Sequence, residues 1–237
     1  HRFDEPVNIF PSAFISAYYL YTSTAVRKHR HKSYRLSFWD EMPRTGLPNP
    51  FDSYSEYARH VRVLVDAGII EDATKLWWDI RPSGRYPTLE MRIADVCTNI
   101  HDAAAVAALY TCILRMLWHL KTHNQRWRQY AIMLVAENRW RAQRYGLDED
   151  LVDYGRGQIV PYAELIDELI DLVSEDAEAM NCIKESIHLK TIVSHGTSAH
   201  RQVRCFDEAL ASGDDKKTAL IKVVDHLIAE TQDFSTN

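Results

Sequence analysis

Apolar and polar residues alternate with period two over residues 75–93, and with a period near 3.6 almost everywhere after Thr98. In the first stretch Leu76, Trp78 and Ile80 alternate with Trp77, Asp79 and Arg81. Beyond the turn-forming run Pro82-Ser83-Gly84-Arg85-Tyr86-Pro87, Leu89, Met91 and Ile93 alternate with Glu90 and Arg92. Successive side chains on a strand point to opposite faces, so the pattern predicts an antiparallel hairpin with one apolar and one charged face. Upstream, Ser53-Tyr54-Ser55-Glu56 has the form of a capping box. Tyr57, Val61, Leu64 and Val65 then give a helical stripe, which Gly68 ends. Residues 43–50 are proline-punctuated and predict loop, whereas 13–25 are apolar and aromatic, as in a buried helix or strand. After the hairpin, Val106, Leu109, Tyr110, Ile113, Leu114 and Leu117 form one helical stripe, and residues 125–146 predict a second helix dense in Trp and Arg. Pro161 suits the start of a third helix, with Leu165, Ile166, Leu169, Ile170 and Val173 inward. Further helices fit 176–193, 198–211 and 215–230. The expected class is α+β in one domain over 1–237, with a sheet-bearing part over 1–97 and a helical part over 98–237.

Composition narrows this picture. The 237 residues are 46% hydrophobic and 26% charged, which suits a globular protein with a substantial core. Only eight glycines and eight prolines argue against a turn-rich β-sandwich. A net charge of −5 gives no electrostatic case for nucleic acid or an acidic membrane surface. No apolar run approaches the roughly 20 residues that span a bilayer, so no membrane partner is expected. Cys97, Cys112, Cys182 and Cys205 lie far apart without a CxxC pair, which reads as reduced thiols of a cytoplasmic protein. The chain opens on His1 without an initiator methionine, so it is expected to be a fragment, a processed form or part of a longer protein.

The charged face of the hairpin is the first place to look for chemistry. Asp79 and Arg81 on one strand, and Glu90 and Arg92 on the other, project to the same side and can meet across the pair. Carboxylates and guanidiniums mixed on a rigid surface suit a metal–phosphate group, with oxygens on Mg²⁺ and arginine on phosphate. The same alternation is also what any half-exposed sheet with surface salt bridges shows. On the Trp/Arg helix, Glu137, Arg141 and Arg144 fall at i, i+4 and i+7 beside Trp140, either as a basic face over a substrate or as an ordinary solvated face. Arg35 is either a carboxylate-binding arginine or a plain loop residue. His119 and His123 share a helical spacing but have no third ligand at a sensible distance. His29-Arg30-His31, in the basic run 27–32, is more simply a solvated loop than a phosphate contact, and Cys112 belongs to a core stripe.

A longer pattern carries these residues. Trp77-Trp78-Asp79-Ile80-Arg81-Pro82-Ser83 followed by Tyr86-Pro87-Thr88-Leu89-Glu90-Met91-Arg92-Ile93-Ala94-Asp95-Val96-Cys97 resembles the signature of the carboxylate–amine ligases of glutamate–cysteine ligase family 2. Ser33-Tyr34-Arg35, Pro43-Arg44-Thr45-Gly46-Leu47-Pro48, Glu137-Asn138-Arg139-Trp140-Arg141-Ala142-Gln143-Arg144-Tyr145-Gly146 and Gly155-Arg156-Gly157 are similar to that family too. The resemblance implies a glutamine-synthetase-like fold, a curved antiparallel sheet with helices outside, in a cytoplasmic homodimer. It implies an ATP-dependent reaction in which the γ-carboxylate of glutamate is phosphorylated and the amine of cysteine or a similar compound displaces phosphate. Divalent cations (Mg²⁺ or Mn²⁺) and arginines would stabilise the transferring group. Under that resemblance Glu90 is the metal ligand, Arg92 the phosphate contact, and Arg81 a further catalytic residue. Asp79, Arg35, Arg141 and Arg144 fall to substrate or ATP binding. The glutamate-rich opening strand and later histidine-containing strand of the family are not seen, so the expectation is half of a site. The competing reading is a non-catalytic dimeric scaffold on the same fold.

Overall fold

A computed structural model describes residues 31–234. The segment 13–25 and most of the basic run lie outside them. The chain forms α1 (Tyr34–Asp40), β1 (Thr45–Gly46), α2 (Tyr54–Asp66), a 3-10 turn (Ala73–Lys75), β2 (Trp77–Trp78), β3 (Ile80–Pro82) and β4 (Leu89–Met91). Then come α3 (Ile100–Thr122), α4 (Ile132–Tyr145), β5 (Leu151–Asp153), β6 (Gln158–Val160), α5 (Tyr162–Leu172), α6 (Ser174–Ala179), α7 (Ile183–His195), α8 (Ser198–Ala211) and α9 (Lys216–Gln232).

The alternating run at 75–81 is not one strand. Its first half, β2, pairs parallel with β1, Thr45 facing Trp77. The Asp79 N–H then donates to the Gly46 carbonyl at 2.8 Å, and from Ile80 the chain pairs antiparallel with β4. Asp79 is therefore where the backbone changes partners, which a period-two pattern cannot reveal. Among the described residues the strands pair only in twos, so helix and strand are mixed as expected but no wider curved sheet is formed among them.

Helix α2 starts and stops where its sequence signals sit. Ser53 Oγ accepts from the Glu56 N–H at 3.1 Å, while Glu56 Oε2 reaches back to the Asp52 N–H at 2.7 Å, one residue earlier than a standard box. Gly68 closes the helix with φ 68°, and the Ile69 N–H caps the Leu64 carbonyl at 3.0 Å. Two helices end at or next to asparagines in the left-handed region, which asparagine tolerates better than most residues. Asn124 (φ 56°) ends α3, so 125–131 are irregular and α4 begins only at Ile132. Asn181 (φ 55°) separates α6 from α7 within the expected 176–193 helix. The β5–β6 hairpin comes from local turn chemistry, with Asp153 Oδ1 accepting from the N–H groups of Gly155 and Arg156.

The main core is built round α3. Ala105, Leu109, Cys112 and Ile113 of α3 meet Ile166 of α5, Leu189 and Ile192 of α7 and Ile80 of the hairpin, all at most 2% exposed. By length and composition α3 could cross a membrane, which corrects the expectation that no run comes near that size. Here it serves as the core helix, with Asp102 paired to Arg201 and Arg115 to Asp176. A second, smaller cluster joins Tyr57, Ile70 and Leu76 under Phe51 and Trp78. The thiols of Cys112 and Cys182, read as distant, lie 3.5 Å apart.

The start of α8 carries a pH-dependent contact. His200 Nδ1 accepts from the Thr197 N–H at 3.2 Å, and Nε2 meets Asp148 Oδ1 at 3.1 Å, beside Lys32 and Arg204. Burial, then the charge of Lys32, hold the His200 pKa below its ordinary value despite Asp148. Below about 6.5 the unfolded chain takes up a proton that native His200 refuses, so stability falls as pH drops from there through the native pKa. Urea unfolding from pH 7.5 to 5 should show this decline, and His200→Gln should flatten it. An unchanged slope in the variant would show that other groups cause the decline.

Candidate active site

Register places the four charged hairpin residues as the sequence predicts. Arg81 faces Glu90 directly, and the Arg92 N–H donates to the Asp79 carbonyl at 2.8 Å, which extends the ladder by one pair. Asp79, Arg81, Glu90 and Arg92 therefore share a face. That face is not an ordinary solvated one. Asp79 is 2% and Arg81 6% exposed, because α1 and α4 cover the hairpin from that side.

Each residue then does something different. Arg81 Nε and Nη2 donate to Glu90 Oε2 at 2.9 and 2.8 Å. Its Nη1 reaches the carbonyls of Thr74 and Leu76 at 2.7 and 2.5 Å, so Arg81 fastens the 3-10 turn to the hairpin. Burial of Glu90 works to raise its pKa. Hydrogen bonds from Arg81 and Ser83, with the charges of Arg81 and Arg92, outweigh that and hold the carboxyl below its usual range. Glu90 is thus an ionised carboxylate, about one third exposed.

Asp79 belongs to a buried triad. Arg139 of α4 donates through Nε to Asp79 Oδ2 at 2.7 Å and through Nη1 and Nη2 to both oxygens of Asp40 at 2.7 and 2.6 Å. Burial is the main cause that lifts the Asp79 pKa, with the Asp40 charge adding and Arg139 opposing. The two carboxylates hold Arg139 well above the ordinary guanidinium value against its own burial. This arrangement locks α1, α4 and the hairpin together.

Arg92 is the exception. Its Nη1 lies 3.6 Å from Glu90 Oε2, its guanidinium sits over the Trp39 ring at 5.5 Å, and its buried Nε has no hydrogen-bond partner. Burial and the charge of Arg81 lower its pKa, while Glu90 opposes them. Buried N–H donors are nearly always paired, so the Arg92 Nε is a donor still open to an acceptor.

The remaining sequence candidates are placed elsewhere. Arg35 stands on α1, not in a loop, and donates to Asp95 Oδ1 at 2.6 Å and to the Ile93 carbonyl at 2.7 Å. It closes the chain after β4, and its guanidinium also sits over the Trp39 ring at 5.5 Å. Arg141 donates to the Asp150 carbonyl and pairs with Glu149, not with Glu137, and both Arg141 and Arg144 lie over Tyr145. The α4 residue that reaches the hairpin is Arg139. Sequence reasoning passed over it, together with Asp40 and Trp39. The signal was present, since Arg139 falls on the buried stripe with Val135, Asn138 and Ala142.

The covered strand face thus mixes carboxylates and guanidiniums, and one of its guanidinium N–H groups, Arg92 Nε, has no partner. The comparisons with known proteins give the chain a family. The glutamate–cysteine ligase family 2 profile matches residues 25–225. A Rhodospirillum rubrum protein named "Putative glutamate--cysteine ligase 2" is 61% identical over 200 residues, covering 84% of this chain and 51% of the relative. Proteins of the same name from Ruegeria pomeroyi and Chloroflexus aurantiacus are 50% and 38% identical over 198 and 202 residues, covering 84% and 85% of this chain and 51% and 50% of each relative. The chain belongs to glutamate–cysteine ligase family 2. It spans about half the length of the curated relatives it matches.

Proposed function

We propose that the whole protein carrying this chain is an ATP-dependent carboxylate–amine ligase, which joins the γ-carboxylate of glutamate to the amine of cysteine or a similar amino compound. The observation that supports this best is Arg92, with an unpartnered buried Nε beside an ionised Glu90. In the proposed first step a γ-carboxylate oxygen attacks the terminal phosphorus of ATP and ADP leaves. In the second the amine nitrogen attacks the acyl carbon and inorganic phosphate leaves. Both steps concentrate negative charge on phosphoryl oxygens, and in this reading Arg92 offsets it from a partly desolvated position. Arg81 holds Glu90 in register, and the Asp79–Arg139–Asp40 triad fixes the strand from which Arg92 projects.

Among the described residues no three His, Cys, Asp or Glu side chains cluster as a metal cage. One ionised carboxylate still fits Mg²⁺, which takes much of its coordination from water and phosphate oxygens. Glu90 would hold it, and the ion would neutralise triphosphate charge. In the same reading the β3–β4 pair is one part of a wider glutamine-synthetase-like sheet, and the protein works as a homodimer in the cytoplasm.

Calorimetry with Mg²⁺–ATP, followed by phosphate-release assays with glutamate and cysteine added singly and together, tests the reading. The expected result is nucleotide binding, with phosphate release that requires glutamate and is fastest with both. Absence of nucleotide binding by the whole protein, or release indifferent to glutamate, would overturn it.

A further inference from the structure

We propose that Cys112 and Cys182 form a covalent modification site, an oxidant-driven intramolecular disulfide that ties α3 to the α6–α7 junction. The proposal is independent of the ligase reading. The two Sγ atoms lie 3.5 Å apart although 70 residues separate them in the chain, and neither is in a disulfide. A disulfide is about 2.05 Å long, so the sulfurs must close by roughly 1.5 Å.

The surroundings favour closure without rearrangement. Arg115, one turn along α3 from Cys112, binds Asp176 of α6 at 2.5 Å and already holds the two elements together. Ser186 of α7 donates to the Cys182 carbonyl at 3.0 Å and fixes the backbone at that residue. Cys182, just after the break at Asn181, is the N-cap of α7: its carbonyl accepts from the Ser186 N–H at 3.0 Å and its N–H donates to the Ala177 carbonyl at 2.9 Å. Exposure sets the order of events, because Cys182 is half-buried while Cys112 is fully enclosed.

With a peroxide as oxidant, the Cys182 thiolate attacks one peroxide oxygen and the O–O bond breaks. This gives a sulfenic acid, and the departing hydroxide takes up the proton shed by the Cys182 thiol to become water. Cys112 Sγ then attacks Cys182 Sγ and the S–O bond breaks. Hydroxide leaves with the Cys112 proton as a second water, so two thiols and one peroxide give a disulfide and two waters. A small thiol reverses the change by exchange. Burial, with the contact from Cys182, pushes the Cys112 pKa up to about 12, so the second step is slow near neutrality and quickens as pH rises. The bond matters for the hairpin as well. Tyr110, two residues before Cys112, donates its hydroxyl to the Leu89 carbonyl at 3.0 Å, so fixing α3 also steadies β4.

The test treats folded protein with hydrogen peroxide at pH 7 and 8.5, alkylates under denaturing conditions and maps peptides without reduction. The expected product is one cross-linked pair, Cys112 with Cys182, lighter by two hydrogens, formed faster at pH 8.5 and removed by dithiothreitol. The thermal midpoint should rise by roughly 5–10 °C on oxidation. Cys182→Ser, at the half-buried position, should show neither the cross-link nor the rise. Oxidation of Cys182 to a sulfinic acid with Cys112 still fully alkylated would overturn the proposal, as would a cross-link through Cys97 or Cys205 alone.

Discussion

Arg92→Ala should lower glutamate-dependent phosphate release by about a hundredfold to a thousandfold, the range lost when one fixed donor to a developing oxyanion is removed. Stability should hardly change. Arg92 makes a 3.6 Å ionic contact with Glu90 and a cation–π contact with Trp39, each worth about 1 kcal/mol or less at a partly exposed position. The separation of the two effects is what distinguishes Arg92 from its neighbours. Arg81→Ala would also reduce activity, but it strips donors from three backbone carbonyls and Glu90, so its effect would mix folding with chemistry. Arg92→Lys should recover part of the loss, because a lysine supplies charge without the planar fork. Steady-state kinetics with urea unfolding on the same preparations would check this. Wild-type turnover in Arg92→Ala would remove the central residue from the account.

Arg139→Leu should destabilise the fold by about 3–5 kcal/mol, the usual result of removing one partner from a buried ion pair. The variant leaves Asp79, 2% exposed, without its cation and strips both oxygens of Asp40 at once. Asp79→Asn in the same background should return part of the loss, since it removes the stranded charge while keeping the residue's shape. Equilibrium unfolding in urea gives both numbers. A single-variant cost below about 1 kcal/mol would show that the triad is solvated and does not hold the hairpin. Activity should fall too in Arg139→Leu, through the strand: the Asp79 carbonyl pairs with the Arg92 N–H, so a loosened Asp79 lets Arg92 drift.

The hairpin was legible because its signal is local. Period-two alternation and a turn-rich connection placed Arg81 opposite Glu90, and register left no freedom for the other two residues. The triad was not legible, since Arg139 lies 60 residues from Asp79 and 99 from Asp40, and nothing in a helical period says which carboxylates a buried arginine will meet. Choosing Arg141 and Arg144 followed the charged spacing Glu137, Arg141, Arg144 on α4, whereas the inward stripe carries the contact. The helix break at Asn181, inside the expected 176–193 helix, is not legible for a related reason. Asparagine is tolerated in helix interiors, and no local signal marks Asn181 as a residue that takes the left-handed region. The family signature added what geometry could not, a reaction to set beside the charged face.

The most direct measurement of the central claim follows oxygen. Glutamate carrying heavy oxygen in its γ-carboxylate is incubated with ATP, Mg²⁺, cysteine and the whole protein, and the released phosphate is analysed by mass spectrometry or ³¹P NMR. If the γ-carboxylate is activated by phosphoryl transfer, as the Arg92–Glu90 face is proposed to promote, each phosphate formed with the amide carries one heavy oxygen from glutamate. Phosphate that forms with the amide but carries no label would contradict the account.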